Sequence, residues 1–181
     1  MPAPFSLHRP SEDDWAAIRD LRIRAVTDTP IAFLESREQA LVVDEDGWRA
    51  RARRNVGENS TQVVAVSSDG LWVGSMICFI SDGAPSYVAD ARLGPPRANL
   101  VGVFVDPDWR GDVGVTDTLL GEVMRWVRDE KGLDRLHLHV SEENPRARRS
   151  YEKRGFVATG VVDLVPGRLD RELEMVIQLR P

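Results

Sequence analysis

The chain has 181 residues, with 24 lysines and arginines against 29 aspartates and glutamates, a formal net charge of −5. That length suits one domain that buries about 70% of its unfolded surface without staples; the 42% apolar content supplies a core and excludes disorder, collagen and coiled coil for the whole chain. The acidic balance argues against a nucleic-acid binder or a coat for anionic membranes, and the single Cys78 excludes an internal disulfide and a four-cysteine zinc site.

In chain order, FSLHR (5–9) alternates apolar and polar residues and reads as a strand. Ser11 before EDDW is an N-cap, and Trp15, Ile18, Leu21, Ile23, Ala25 and Val26 predict a helix over 12–27, broken at Pro30. An Arg-rich helix is expected over 45–54. TQVVAV (61–66) and LWVGSMICFI (71–80) flank the turn SSDG and read as a hairpin. The second of these is the longest apolar stretch and is too short to cross a bilayer as a helix. No targeting segment is visible in MPAPFSLHRPSEDDW, so a cytoplasmic protein is expected.

Residues 82–98, with Pro85, Gly94, Pro95 and Pro96, read as a long loop of the kind that carries function. NLVGVFV (99–105) is a strand, DPDWRGDVG a turn, and Leu119, Leu120, Val123, Met124 and Val127 mark a helix from Thr116 to Gly132. LDRLHLHV (133–140) is a strand, Asn144-Pro145 opens a helix that Gly155 closes, and FVATGVVDLV and ELEMVIQLR are the last strands. The order β, α, α, β, β, β, α, β, α, β, β describes one mixed α/β domain.

Two segments carry chemistry. Between strand and helix, Arg110, Gly111 and Gly114 form a turn whose backbone N–H groups, with the helix dipole behind them, could cradle phosphate. It has neither the P-loop nor the dinucleotide spacing, and read alone it is equally a tight turn with a surface arginine. On the later helix, Asn144, Ala147, Arg148 and Tyr151 share one face, with Asn144 and Tyr151 about 10 Å apart along the axis. Taken singly, Asn144 is a cap and Tyr151 a packing residue.

Together VFVDPDWRGDVGVTDTLL (103–120) and LHLHVSEENPRARRSYEKRGF (136–156) resemble the GNAT superfamily of N-acetyltransferases, as do RPSEDDWAAIRDLRIRA and DTPIAF near the N-terminus. The resemblance implies a single domain over 5–180 and a central, mostly antiparallel sheet of six to seven strands, splayed between strands 4 and 5 and flanked by about four helices. It implies acetyl-CoA as co-substrate and no metal. Val103, Phe104 and Val105 would pair with the pantetheine arm. Arg110, Gly111, Asp112, Val113, Gly114, Val115 and Thr116 would hold the pyrophosphate, Asn144 the pantetheine amides, and Tyr151 would protonate the leaving thiolate. Gly114 aligns with the family motif's first glycine and Thr116 with its second small residue. Asn99 stands where the family often has a glutamate base, and an amide cannot take that proton.

His137 and His139 alternate on one strand and face one side. His139 matches the position at which the ribosomal-protein alanine acetyltransferase branch carries its base, and a histidine suits that role. Glu142, Glu143 and a water chain are alternatives. His-x-His is also metal-ligand spacing, but a third ligand would have to come from His8, Cys78 or a carboxylate that nothing in the sequence places there. Cys78 reads as a core residue, and the runs RARARR (49–54) and RARR (146–149) as solvated helix faces, some of whose arginines could meet the 3′-phosphate of CoA. The leading expectation is acetyl transfer from acetyl-CoA to the amine of a small molecule or a protein N-terminus, without nucleic-acid or membrane partners; a homodimer is allowed. The rival is a non-catalytic acyl-CoA-binding sensor on the same fold. The acceptor site is expected from residues 27–47 and the 82–98 loop.

Overall fold

A computed structural model describes residues 4–82, 95–111, 114–164 and 170–179. Its elements are β1 (Phe5–His8), α1 (Trp15–Asp28), α2 (Arg37–Leu41), α3 (Glu45–Asn55), β2 (Ser60–Ser67), β3 (Trp72–Ser81), β4 (Arg97–Val105), α4 (Val115–Arg125), β5 (Arg135–Ser141), α5 (Pro145–Glu152), β6 (Val157–Leu164) and β7 (Arg171–Gln178). Seven strands form one sheet in the order β1-β2-β3-β4-β5-β7-β6. The β4–β5 pair is parallel, whereas β1–β2, β5–β7 and β6–β7 are antiparallel. This is the mixed α/β architecture expected, with five α-helices among the described residues where about four were expected.

The corrections to the expected elements are local. Residues Glu12–Asp14 wind as a 3-10 turn, so α1 starts at Trp15 and ends at Asp28. Ser11 and Asp14 close a reciprocal capping box on that turn. The five-residue α2 is an addition. β4 begins two residues early at Arg97, and β5, Arg135–Ser141, starts two residues late and ends one late. Helix α4 starts at Val115 and passes into a π-helical turn at Trp126–Glu130 before Gly132, at φ 66°, ends it. Most of the expected 82–98 loop, residues 83–94, lies outside the described residues, as do Asp112 and Val113.

The chain divides into two compact units, Met1–Cys78 with Gly102–Val123, and Phe79–Val101 with Met124–Pro181. In the first, Ile18, Leu21, Ala25 and Val26 of α1 pack with Trp48 and Ala52 of α3, Ala40 of α2, Phe33, Val64, Trp72 and Phe104. Gly74 of β3 lets α4 approach closely. A Cβ there would lie 3.1 Å from Leu119 and Val115 side-chain carbons and 3.2 Å from the Phe104 carbonyl. Glu35 clasps the segment after α1: Arg22 donates to it at 2.9 Å and Arg51 lies at 2.7 Å, while the same guanidiniums stack over Phe33 and Trp48, each 4.5 Å from the ring centre. Burial would raise the Glu35 pKa, but Arg51 and Arg22 hold the carboxyl below its ordinary value.

In the second unit, β5 alternates buried Leu136, Leu138 and Val140 with half-buried His137 and His139. Gly155, at φ 91°, stops the chain after α5 and turns it into β6. β6 is the outermost strand; its pairing with β7 slips between Ala158 and Val162, around Gly160 at φ 88°. The β4–β5 register runs from Ala98↔Leu136 to Leu100↔Leu138, and two residues later Gly102 has φ 58°.

Glu35→Gln should lower unfolding stability by about 1–3 kcal/mol, because two half-buried arginines lose their shared counter-ion. A denaturant midpoint within error of the parent would show that the clasp contributes nothing.

Candidate active site

The turn after β4 begins at Asp106, whose N–H donates to the Val73 carbonyl (2.8 Å) and whose side chain caps the 3-10 turn Pro107–Trp109. Arg24 of α1 donates to the Asp106 carboxylate at 2.7 Å and to the Trp72 carbonyl. Arg110 follows with its Nε–H on the Val105 carbonyl (2.8 Å), an ion pair to Asp28, and its guanidinium 6.0 Å from the Phe104 ring centre. Its side chain is thus committed to the protein, and what it leaves for a ligand is backbone. Gly111 and Gly114 have φ of 86° and 80°, and a Cβ at either would meet nothing within 4 Å. The first intrahelical bond of α4 is Thr118 N–H to the Gly114 carbonyl, so the first-turn amides of Val115 and Thr116 have no acceptor within the helix. Asp117 adds a carboxylate to that turn.

Helix α5 starts as expected. Asn144 accepts from the Ala147 N–H (3.1 Å), Pro145 occupies the first turn, and the Asn144 residue is buried. The cap uses the side-chain oxygen, so the Nδ2 hydrogens remain for another acceptor. Tyr151, half-buried, meets Phe156 edge to face at 5.6 Å. Burial pushes its phenol up to about 12, and the Arg154 charge opposes this only in part. A tyrosine hydroxyl keeps its proton through the neutral range in any case, and burial extends that range upward.

The two histidines stand in a polar cluster that their strand alone does not reveal. His139 Nε2 lies 3.1 Å from Asp163 Oδ2 on β6 and 3.8 Å from Glu174 Oε2 on β7, its register partner. A carboxylate at that nitrogen favours Nε2–H and puts the lone pair of the neutral ring on Nδ1. His137 Nδ1 lies 3.9 Å from Glu174 Oε1. Burial, then the Arg97 charge, push His137 down to about 4, against the pull of Glu174. Glu174 is buried and paired with Arg97, which holds its carboxyl low although burial alone would raise it. Asn99, register partner of His137, donates to Ser81 Oγ (2.9 Å) and to the Arg97 carbonyl (3.0 Å). Among the described residues, Arg97 Nε, Asn99 Oδ1 and His137 Nδ1 are buried without a hydrogen-bond partner. Glu142 and Glu143 sit in the exposed turn after β5, where Glu142 pairs with Arg171 at 3.4 Å.

The sequence matches the acetyltransferase (GNAT) family over residues 15–156. The chain belongs to this family. A 66-residue stretch is 41% identical to mycothiol acetyltransferase of Salinispora arenicola (strain CNS-205), covering 36% of this chain and 21% of that protein, so the match spans about a fifth of that relative's length. A GNAT-family acetyltransferase from Streptococcus pneumoniae superposes with a TM-score of 0.72 at 16% identity, over 97% of this chain and 99% of that one. The spermidine N-acetyltransferase from Vibrio cholerae, in complex with CoA and spermine, gives 0.68 at 19% identity, over 97% and 95%. At these identities the likeness is one of GNAT fold.

Within this GNAT chain, Glu174, Asp163 and Arg97 were not singled out from sequence. The signal for Glu174 was present: in RELEMVIQ the period of two sets Glu172, Glu174 and Val176 on one face, and the register lays that face beside His137 and His139. No helix among the described residues is long and apolar enough to cross a membrane.

Because His137 binds a proton more weakly folded than unfolded, stability should fall as pH drops from its ordinary value near 6.5 toward 4, by up to about 3 kcal/mol. Above that window both states are neutral and the contribution vanishes. His137→Gln should flatten this part of the stability–pH curve; an equally steep curve would assign the acid sensitivity elsewhere.

Proposed function

We propose that this chain transfers the acetyl group of acetyl-CoA directly to a primary amine of a small molecule or a protein N-terminus, with residues 5–180 acting as one catalytic domain. The observation that carries this reading is the GNAT family match over residues 15–156, which takes in Tyr151, a phenol on the helix capped by Asn144. A thiolate leaving group needs a proton, and this group holds one at neutral pH. Acetyl-CoA supplies an activated thioester, and no covalent enzyme intermediate is required.

The residues described fit that co-substrate. Positive-φ glycines with open space at 111 and 114, followed by the Val115 and Thr116 amides that have no acceptor within α4, suit a pyrophosphate. The backbone of Val103, Phe104 and Val105, beyond Gly102, is assigned to the pantetheine arm and the Asn144 Nδ2 group to its carbonyls. His139 takes the base role, with Asp163 fixing its tautomer. Cys78, the one cysteine of the chain, is buried in β3 and fits a reducing cytoplasm. One observation favours the rival, a non-catalytic acyl-CoA sensor: the Asn99 amide is tied to Ser81 and Arg97, so that position offers no base.

Saturation with acetyl-CoA at 100 times its dissociation constant should stabilise the fold by about 2.7 kcal/mol, and Tyr151→Phe should retain that gain while kcat falls about 10–10³-fold. A loss confined to KM would make the phenol a binding group, and full activity would make it packing. Free-thiol release with a panel of amines separates enzyme from sensor. His139→Gln should lower kcat/KM by about 10²–10⁴-fold; a value within threefold of the parent would pass the base role to water or to another carboxylate.

A further inference from the structure

A groove of about 360 Å³ opens in the first unit between α1, the start of α2 and the end of β4. That volume suits a small molecule. Ile23, Phe104 and Pro107 give it apolar walls. Its polar lining is almost entirely satisfied from within. Arg24 is spent on Asp106 and the Trp72 carbonyl, Asp28 holds Arg110, and the Thr27 hydroxyl donates to the Ile23 carbonyl at 2.7 Å.

Arg37 is different. It lines the same groove, yet among the described residues no hydrogen bond or ion pair engages its guanidinium; the exposed Glu38, next in sequence, only senses its charge. Its backbone is not adrift. Ser36 and Gln39 cap α2 reciprocally, Ser36 N–H to Gln39 Oε1 at 2.8 Å and Gln39 N–H to Ser36 Oγ at 3.2 Å. Two arginines and two aspartates line the groove, and with Arg24–Asp106 and Arg110–Asp28 paired off, the recognition capacity left over is that of a cation with forked donors. The groove also reaches Phe104 and Asp106, at the strand end to which the pantetheine arm is assigned.

We propose that this groove is the acceptor subsite and that Arg37 reads a carboxylate on the acceptor, making the substrate class an amino acid with an apolar body rather than a polyamine or a simple alkylamine. The proposal rests on the acetyl-transfer reading. A phosphate of CoA is the other anion Arg37 could meet, and the measurements separate the two.

L-leucine is compared with isoamylamine, and L-phenylalanine with phenethylamine, each pair differing by the carboxylate, in thiol release from acetyl-CoA. The carboxylate-bearing member should be preferred in kcat/KM. Arg37→Gln should shrink the preference about tenfold to a hundredfold, and Arg37→Glu should invert it, with the KM for acetyl-CoA and the melting temperature unchanged. A parent enzyme that favours the decarboxylated amines, or an Arg37→Gln variant with its preference intact, overturns the proposal. A variant that instead loses acetyl-CoA affinity assigns Arg37 to a cofactor phosphate and overturns it too. If neither acetyl-CoA stabilisation nor thiol release is seen with any amine, the acetyl-transfer reading fails by itself. Calorimetry with the two amino acids alone then decides the groove: Arg37-dependent binding upholds the carboxylate subsite, and no binding overturns it.

Discussion

One arginine holds the end of β4 in place. Arg24 reaches from α1 to the Asp106 carboxylate and to the Trp72 carbonyl, so a single guanidinium ties the helix to the start of one strand and the end of another. Asp106 in turn caps the 3-10 turn at 107–109 and bonds back to Val73. With that corner fixed, Arg110 can close onto Val105 and Asp28, and the two left-handed glycines can present backbone rather than side chain. Charge-assisted bonds of this kind are directional as well as strong, which is why they define a loop that apolar packing alone would leave loosely specified.

The same economy of partners separates scaffold from recognition elsewhere in the chain. Arg22, Arg51 and Glu35 satisfy one another and build; Arg97 pairs with Glu174 beside the histidines. Among the described residues, the buried side-chain atoms left without a partner are Arg97 Nε, Asn99 Oδ1 and His137 Nδ1. In a folded protein unsatisfied polar groups are few because each carries a desolvation penalty, so those that persist point to where water or ligand belongs.

Periodicity made most of the fold legible, since the apolar spacing of α1, α4 and β5 is set by the faces these elements bury. Asn144-Pro145 announced α5, because a cap is a local interaction written in adjacent residues. Helix α2 had a readable capping box, Ser36 to Gln39, but at five residues its apolar pattern was too short to register. The pairing of Arg24 with Asp106 bridges 82 residues, and that of Arg97 with Glu174 bridges 77. Such partners meet only through sheet topology, and no window of sequence contains both. For the same reason the Arg110 side chain looked available for phosphate when read beside its neighbours, while Asp28, its partner, lay far upstream.

The slipped pairing around Gly160 bears on the edge that this sheet presents. β6 borders the sheet, and Val157, Val161, Val162 and Leu164 stand exposed along it. A regular border of that composition would offer a continuous row of backbone donors and acceptors to the border of another molecule, the geometry from which fibrils and disordered aggregates grow. The pairing of β6 with β7 is not regular along its length: two pairs precede the slip, and it resumes at Val162. Gly160, at φ 88°, thus sits where the pairing of this outer strand shifts, among its exposed valines.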